Sequence, residues 1–380
     1  MNILFLTTHF NTGGITSYLL NLNRGLHRRG HQVFIASAGG NCEDILETEG
    51  GEHFNLGFRT KSEIDLRIYL GLGRLKKFME QNNIDIIHAQ TRVTQVMGHF
   101  LSRLTGKPLI TTCHGFFRPH FFRRLFLYWG QAVVAISQPV AEHLQKDFGI
   151  DQKKVYIITN GIDSSKFVLT TQDIREQKRQ QWNINSKPVL GIIARLSEVK
   201  GIDVLLSCMP MVIEQYPSVL LMIVGRGPHH HQLQAQAKSL KLQAHVRFED
   251  IVHQTANLLP AFDIFVMPSR QEGLGLSVME AQACGLPVIA SQVGGLVDLI
   301  EDGQTGFFVP AQDSRALGQK IIQVLQNPVQ ARQVGLAARE HIVRHFSLEQ
   351  MVLETEKVYA STRPAFGGSR SARVQNERIQ

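Results

Sequence analysis

The chain has 380 residues, more than a single hydrophobic core usually organises, so two domains of ordinary size are expected. Its apolar fraction of 43% and charged fraction of 19% exclude a disordered or fibrous protein. The net charge of +8 is uneven, because residues 1–170 carry 19 Lys and Arg against 13 Asp and Glu, a net +6. This basic half is expected to attract a phosphate group, a lipid surface or a nucleic acid.

The cysteines and the apolar runs bear on location. Four cysteines are scattered without a CxxC pair, which favours reduced thiols in a cytoplasmic protein and gives no zinc site. The N-terminal apolar run is too short for a secretion signal, and no stretch reaches the roughly 18 apolar residues that a spanning helix needs. The sequence therefore predicts a protein that is neither exported nor membrane-spanning.

Short apolar runs alternate with longer amphipathic segments along the chain, a pattern typical of βαβ units and parallel sheets. The pattern occurs twice. Predicted strands in the first half are 3–7, 32–36, 84–88, 109–113, 132–136 and 155–159, and in the second half 189–193, 220–224, 245–248, 264–267, 288–291 and 306–309.

A polar stretch between the halves predicts an interdomain connection with a short helix at 173–182, and the chain ends in a helix at 348–359 followed by a polar tail. These features predict the following division: a first α/β domain (1–165), a linker (166–187), a second α/β domain (188–346), a C-terminal helix (347–362) and a disordered tail (363–380).

Two glycines, Gly13 and Gly14, precede the first helix, for which Thr16 or Ser17 is a plausible cap. Backbone N–H groups at such a helix start favour an anion. The full GxGxxG spacing is missing, so a tight strand-to-helix turn explains the pair equally well.

Two cations, Arg195 and Lys200, follow a predicted strand on a loop that leads into a helix. This spacing could place both on one diphosphate, Arg as a bidentate fork and Lys as a point charge. Taken alone, the pair is also compatible with a solvated loop.

The stretch SRQEGLGLSVMEAQACGLP (269–287) places Glu272 at a strand end and Glu280 one turn inside a helix. Between them, glycines let the backbone approach a ligand, and the N–H groups of Leu276 and Ser277 can point at a phosphate. Two carboxylates here would suit sugar hydroxyls, one set on each side of a phosphate, although two glutamates eight residues apart also occur often by chance.

Five motifs occur together in this chain: NGID (160–163), ARLSEVKG (194–201), IVGRGP (223–228), MPSRQEGLGLSVMEAQACGLPVIAS (267–291) and VGGLVDLIEDGQTGFFVP (293–310). In this combination the chain strongly resembles the retaining glycosyltransferases of family 4, which have the GT-B architecture of two facing Rossmann-like domains. The resemblance covers about residues 1–360. It implies that the first domain binds the acceptor, that the second binds the nucleotide sugar, and that the C-terminal helix packs back on the first domain.

The resemblance implies roles for individual residues. Arg195 and Lys200 would neutralise the donor diphosphate, Glu272 would contact hydroxyls of the transferred sugar, and Glu280 would contact the ribose. His114, near the donor sugar, would join Arg195, Lys200 and Glu272 as the catalytic residues. The remaining donor contacts would come from Gly14, from the phosphate-facing Gly275, Leu276 and Ser277, and from Asp250 and Ile251 near the nucleobase.

The sequence departs from the family pattern at three points. Ala194 stands where glycine is common, Asp298 where glutamate is usual, and FEDIV (248–252) replaces a glycine-containing turn near the base. The last departure weakens any inference about the nucleobase of the donor. The expected donor is a UDP-sugar.

The reaction implied is sugar transfer with retention to a hydroxyl of a glycan or lipid-linked acceptor, in cell-envelope polysaccharide or glycolipid synthesis. The donor's own phosphate would take the acceptor's proton while cations stabilise the leaving diphosphate. No DxD motif occurs and the histidines of PHHHQ (228–232) suit a protein surface, so neither a metal nor any other cofactor is expected.

The basic aromatic stretch GFFRPHFFRRLFLYW (115–129) suits peripheral docking at an anionic membrane, although a core-facing helix with a basic edge fits equally well. The location expected is thus cytoplasmic, with possible contact to the inner membrane face. Two alternatives remain: a sugar-nucleotide epimerase or phosphorylase of similar architecture, and a nucleic-acid-binding protein, which the missing recognition motifs argue against.

Overall fold

A computed structural model describes residues 1–60, 62–63, 65–117, 128–185, 188–252 and 254–362. It contains two sheets, one of seven and one of six strands, in which every pairing is parallel. Helices connect the strands, so the predicted architecture of two Rossmann-like α/β domains is confirmed.

The first sheet has the order β3-β2-β1-β4-β5-β6-β7. Most of its strands are buried on both faces, which explains why they read as continuous apolar runs. Its strands are Asn2–Leu6 (β1), Gln32–Ser37 (β2), Glu52–Asn55 (β3), Ile86–Ala89 (β4), Leu109–Cys113 (β5), Ala132–Ala135 (β6) and Val155–Ile157 (β7). The helices are Gly14–Arg28 (α1), Glu43–Thr48 (α2), Leu66–Gln81 (α3), Arg92–Thr105 (α4) and Gln138–Phe148 (α5).

The second sheet has the order β10-β9-β8-β11-β12-β13. Its strands are Val189–Ile193 (β8), Leu220–Val224 (β9), Val246–Glu249 (β10), Ile264–Met267 (β11), Val288–Ser291 (β12) and Phe307–Val309 (β13). The helices are Gln172–Gln181 (α6), Ile202–Gln215 (α7), His230–Ser239 (α8), Leu276–Ala283 (α9), Leu296–Leu299 (α10), Ser314–Gln326 (α11), Pro328–His345 (α12) and Leu348–Thr362 (α13). Short 3-10 turns occupy Gln152–Lys154, Glu198–Lys200, Thr255–Asn257 and Leu259–Ala261.

Both sheets reverse their strand order at an internal point, between β1 and β4 in the first and between β8 and β11 in the second. Open α/β sheets bind ligands in the crevice that such a reversal creates at the carboxyl ends of the strands. The fold therefore marks the loops after β1, β4, β8 and β11 as candidate ligand contacts.

The last helix, α13, packs on the first domain although it follows the second in sequence. Its apolar side chains join the core formed by α1 and the first sheet; these are Leu348, Met351, Val352, Val358 and Tyr359. The chain crosses between the domains at two adjacent points, since Ile162 N–H donates to Phe346 O at 2.9 Å and Leu348 N–H donates to Ile162 O at 3.1 Å.

Two local expectations differ from the structure. The edge strand β3 has half-exposed, largely polar residues, so it gave no apolar run to detect. The predicted capping of α1 by Thr16 or Ser17 is wrong: the cap position is Gly13, without a side-chain bond, and the Thr16 hydroxyl donates to Asn11 O at 2.6 Å. The predicted disorder of 363–380 lies outside the described residues.

Candidate active site

The loop after β8 and the loop after β11 meet at the reversal point of the second sheet. Lys200 Nζ lies 2.5 Å from Glu272 Oε2, and Ser269 Oγ donates to the same oxygen at 3.2 Å. The approach requires Gly201, whose φ of 63° is left-handed and whose hypothetical Cβ would collide with Pro268 O. The two predicted residues Lys200 and Glu272 are thus in direct contact.

Arg195 lies on the same edge, two residues beyond the end of β8. Its side chain is exposed and makes no hydrogen bond or ion pair with any residue that the structure describes. An unpaired guanidinium on the same loop as Lys200 can bind an additional anion.

A glycine loop carries the chain from Glu272 into α9. Gly275, with φ 108°, is the cap position of α9, so the first N–H groups of the helix belong to Leu276 and Ser277. The Glu272 carbonyl accepts from Gly295 N–H at 3.0 Å, and a side chain at Gly294 would collide with that carbonyl. The glycine pair after β12 therefore holds the backbone of Glu272 in place.

Glu280 lies further along α9 and faces the turn Thr255–Asn257, from which Thr255 Oγ1 donates to Glu280 Oε2 at 2.9 Å. The Glu280 side chain is half-buried. Burial raises the pKa of Glu280 to about 7, although the bond from Thr255 opposes this shift. Glu280 is consequently ready to change charge near neutral pH.

A cavity of about 410 Å³ opens at the ends of β9 and β10, lined by Gly225, Arg226, Gly227, His230, His231, Phe248, Glu249 and Asp250. Asp250 forms an ion pair with Arg226 and also accepts from the N–H of Ile251 at 2.6 Å. The volume of this cavity lies within the range of small-molecule sites. The predicted base contacts Asp250 and Ile251 thus lie two strands away from Arg195, at the same sheet edge.

The first domain faces this edge through its own strand ends. A Cβ at Gly14 would lie 3.9 Å from Leu276 Cδ1, and a Cβ at Gly273 would lie 2.5 Å from His114 O. Gly14 and His114 therefore line the opposite wall of the interdomain cleft.

His114 follows β5 directly and is held on two sides. Its Nε2 lies 2.8 Å from Gln90 Oε1, and its ring packs edge-to-face on Tyr18 with centroids 4.9 Å apart. Burial lowers the pKa of His114 to about 3, so the imidazole is neutral at physiological pH.

Polar contacts close the seam between the domains beside the site. Ser137 Oγ donates to Gly273 O at 2.7 Å, and Gln138 N–H donates to Asp298 Oδ2 at 2.8 Å. Burial raises the pKa of Asp298, while the bond from Gln138 opposes the shift. Asp298, noted as a departure from the family pattern, thus places its carboxylate at the N-terminus of α5.

Two family models match the chain with these elements in order. The model described as Glycosyltransferase Family 4 matches residues 12–166, and the model described as Glycosyl transferases group 1 matches residues 174–341. The chain belongs to glycosyltransferase family 4. As a family 4 glycosyltransferase of the GT-B type, it uses a nucleotide sugar.

Named relatives of this family 4 glycosyltransferase include the D-inositol 3-phosphate glycosyltransferase of Corynebacterium diphtheriae, 27% identical over 91% of this chain and 89% of that protein. The GDP-mannose-dependent monoacylated alpha-(1-6)-phosphatidylinositol monomannoside mannosyltransferase of Corynebacterium glutamicum is 32% identical over 57% of this chain and 58% of its own length. The epimerase or phosphorylase alternative gains no support from these names.

Solved structures of similar fold include a glycosyltransferase from Rickettsia africae ESF-5, with a TM-score of 0.83 and 24% identity over 95% of this chain and 98% of that one. Anabaena HepE in complex with UDP and glucose has a TM-score of 0.82 and 23% identity over 94% of this chain and 99% of that one. These likenesses show the GT-B fold.

The candidate site also contains residues that the sequence analysis did not single out, among them Gln90, Tyr18, Ser137, Ser269 and Thr255. Gln90 and Ser137 stand one or two residues past a predicted strand, so the rule that ligands bind at strand ends could have found both. Tyr18 and Thr255 gave no such signal, because their contacts depend on how separate elements pack.

Three further predictions concern metals and membranes. Among the described residues, no group of three or more His, Cys, Asp or Glu side chains is placed to hold a metal ion. None of the helices within the described ranges is long and apolar enough to cross a bilayer. Most of the basic aromatic stretch, 118–127, lies outside the described residues, while Trp129 is buried, so membrane docking stays a prediction.

Proposed function

We propose that the protein is a retaining hexosyltransferase that moves a sugar from a UDP-sugar to a hydroxyl of a glycan or lipid-linked acceptor. Its process is cell-envelope polysaccharide or glycolipid synthesis, and its location is the cytoplasm, at the inner face of the membrane. Support for a lipid-linked acceptor comes from the phosphatidylinositol mannoside in the name of one relative and from the basic first half of the chain.

The observation that carries the proposal is the Lys200–Glu272 pair at the reversal point of the second sheet, with unpaired Arg195 on the same loop as Lys200. A diphosphate entering here would compete with Glu272 for the Lys200 ammonium. Glu272 would then be released to accept hydrogen bonds from sugar hydroxyls. Donor binding thereby exchanges one charge pair for two favourable contacts.

The other predicted residues would contact the remaining parts of the nucleotide sugar: a phosphate, the ribose, the base and the transferred sugar. The N–H groups of Leu276 and Ser277 at the start of α9, reached through Gly275, would face a phosphate. Glu280 would bind the ribose, and the cavity beside Asp250 and Ile251 would receive the base. Gly14 and His114 would close on the sugar from the first domain.

The chemical step we propose relies on charge stabilisation. A retaining hydrolase uses a carboxylate nucleophile facing a second carboxylate about 5 Å away. Here Glu272 is bound to both Lys200 and Ser269, which suits binding better than attack. The leaving phosphate would instead take the proton of the acceptor hydroxyl, and that hydroxyl would attack from the same face while Arg195 and Lys200 stabilise the departing charge.

A thermal-shift panel of UDP-glucose, GDP-mannose and ADP-glucose tests the donor class. We expect the UDP-sugar to raise Tm most, because ligands that bind only the folded state stabilise it by mass action. A larger shift with GDP-mannose would contradict the base assignment alone. No shift with any sugar nucleotide at 100 times a typical Kd, where about 2.7 kcal/mol of stabilisation is expected, would contradict the donor site.

Retention is tested separately on the product. Transfer from an α-linked nucleotide sugar should give an α-glycoside, which the one-bond coupling constant of the anomeric carbon in NMR spectra distinguishes from the β-anomer. A β-linked product would overturn the same-face mechanism and leave the donor site intact.

A further inference from the structure

Gln90 occupies the reversal point of the first sheet, immediately after β4. It is 2% exposed, and its Oε1 lies 2.8 Å from Nε2 of His114 across the end of β5. No motif of the sequence marks this residue. Its position matches, on the opposite wall of the cleft, that of the charged cluster around Lys200.

The orientation of the Gln90 amide follows from its second contact. Its Nε2 faces the carbonyl oxygen of His88 at 3.5 Å. The reversed amide would place two carbonyl oxygens against each other at this point, without a proton between them. The amide oxygen of Gln90 therefore faces His114, and the imidazole must donate.

A neutral imidazole carries one proton, so the bond to Gln90 decides its location. With the pKa of His114 lowered to about 3, the proton resides on Nε2 and Nδ1 keeps its lone pair. Nδ1 has no hydrogen-bond partner among the described residues, and edge-to-face packing on Tyr18 restricts rotation of the ring. The ring thus presents a fixed acceptor.

The titratable groups that face His114 do not disturb this arrangement. His88 on β4 is neutral, with a pKa lowered to about 3 by burial and by the proximity of His114. Its ring nitrogens are occupied by Thr112 Oγ1 at 2.7 Å and the Tyr359 hydroxyl at 2.8 Å. Burial raises the pKa of Tyr18 on α1 to about 12, so it is neutral as well.

We propose that Gln90 is a positioning residue that fixes the Nε2–H tautomer of His114, so that Nδ1 accepts a hydrogen bond from a hydroxyl of the transferred sugar. The inference rests on the proposed function for the identity of the hydroxyl. The tautomer itself is a property of the free protein. Gln90 acts through His114 and makes no contact with the reacting atoms in this scheme.

The first experiment measures the tautomer without substrate. Long-range ¹H–¹⁵N spectra of the ¹⁵N-His-labelled full chain, with the His114 signals assigned by their loss in His114→Asn, should show a protonated Nε2 and an unprotonated Nδ1 at pH 7.5. Gln90→Met keeps the side-chain volume but removes the acceptor, so it should give a mixture of tautomers. An Nδ1–H tautomer in the wild type would overturn the proposal whatever the enzyme's substrate.

The second experiment measures kcat and KM for the donor found by the thermal-shift panel. Gln90→Met should lower kcat/KM about tenfold, in keeping with one lost hydrogen bond. Gln90→Glu retains an acceptor and should rescue most of this loss at high pH. Because the new carboxylate raises the pKa of His114, the acid limb of its pH profile should move to higher pH.

A matched control is Gln95→Met, since Gln95 is also a buried glutamine of the first domain, 1% exposed, and accepts from Arg92 Nη1 at 3.1 Å. Its pH profile and tautomer spectrum should equal those of the wild type. Equal kinetic loss in both variants, with an unchanged His114 spectrum in Gln90→Met, would reduce Gln90 to a structural role and overturn the proposal. A changed spectrum without any sugar transfer would instead contradict the proposed function.

Discussion

The two walls of the cleft offer different kinds of interaction to the same proposed ligand: charged groups on one wall and neutral hydrogen-bonding groups on the other. The wall of the second domain is charged: Arg195, Lys200 and Glu272 lie at the sheet edge, and one of the cations has no partner among the described residues. The wall of the first domain is neutral at His114, which is uncharged and hydrogen-bonded, and His88, fully buried behind it, is uncharged and hydrogen-bonded as well. The difference separates tasks: the charged wall can bind and stabilise a diphosphate, and the neutral wall can orient a sugar.

The largest expected effect tests the charged wall. Arg195→Ala and Lys200→Ala should each lower kcat by a hundredfold or more, since loss of one preorganised charge contact costs about 3 kcal/mol in transition-state stabilisation. Steady-state transfer assays measure the change. The Tm of Arg195→Ala should stay at the wild-type value, because its side chain makes no bond within the described protein.

Arg332→Ala is the control for charge alone, as Arg332 is an exposed arginine on α12 in the same domain. Near-wild-type turnover of both cleft variants would show that the charged wall does not serve the reaction. Equal loss in Arg332→Ala would point to net charge rather than position.

The buried pair His88–Tyr359 behind the neutral wall should respond in the opposite way, through the free energy of unfolding. Tyr359→Phe leaves Nδ1 of the buried His88 without its partner at 2.8 Å, which should cost about 1–3 kcal/mol in the free energy of unfolding. Urea unfolding measures this cost, and donor affinity should change little. Tyr156→Phe, at a half-buried tyrosine on β7 whose hydroxyl makes no hydrogen bond with any described residue, should leave the free energy of unfolding unchanged. A weaker donor affinity with intact stability in Tyr359→Phe would erase the contrast between the walls.

Glu280 lies between the two cases and gives the smallest effect. Its folded pKa of about 7 exceeds the unfolded value near 4.5, so its stabilising contribution is complete below pH 4.5 and is lost as pH rises through 7. Ribose binding has the opposite sign, because the ionised carboxylate is the stronger acceptor. UDP-sugar affinity should therefore rise, by up to about tenfold, between pH 6 and 8.5.

Calorimetric titration at both pH values checks this sign, and Glu280→Gln should remove the pH dependence. The sugar nucleotide is used rather than free UDP because its diphosphate does not change charge in this range. An affinity that falls with pH in the wild type would contradict contact between ionised Glu280 and the ribose.

The sequence alone predicted much of the fold because parallel strands that are buried on both faces consist of consecutive apolar residues. Runs such as Leu109–Cys113 and Leu220–Val224 coincide with observed strands, whereas the half-exposed edge strand Glu52–Asn55 has no such run. Family membership is confirmed by the two matching models. The roles of the individual site residues stay predictions.

The charged wall of the site was easier to predict than the neutral one for a physical reason. Arg195, Lys200 and Glu272 belong to motifs in which glycines and charged residues recur at short spacing. Charged side chains in such motifs indicate a ligand site directly from the sequence. Gln90 and Tyr18 both contact His114, and these contacts join β4, β5 and α1. Such contacts depend on the packing of three elements, so no local pattern encodes them.

The return of α13 to the first domain has a consequence for biosynthesis. Met351, Val352, Val358 and Tyr359 form part of the first domain's core, yet they are among the last described residues to leave the ribosome. Translation proceeds from the N-terminus, so the domain made first is without one side of its core until the second has emerged. The nascent chain must therefore shelter an unfinished apolar surface for most of its synthesis.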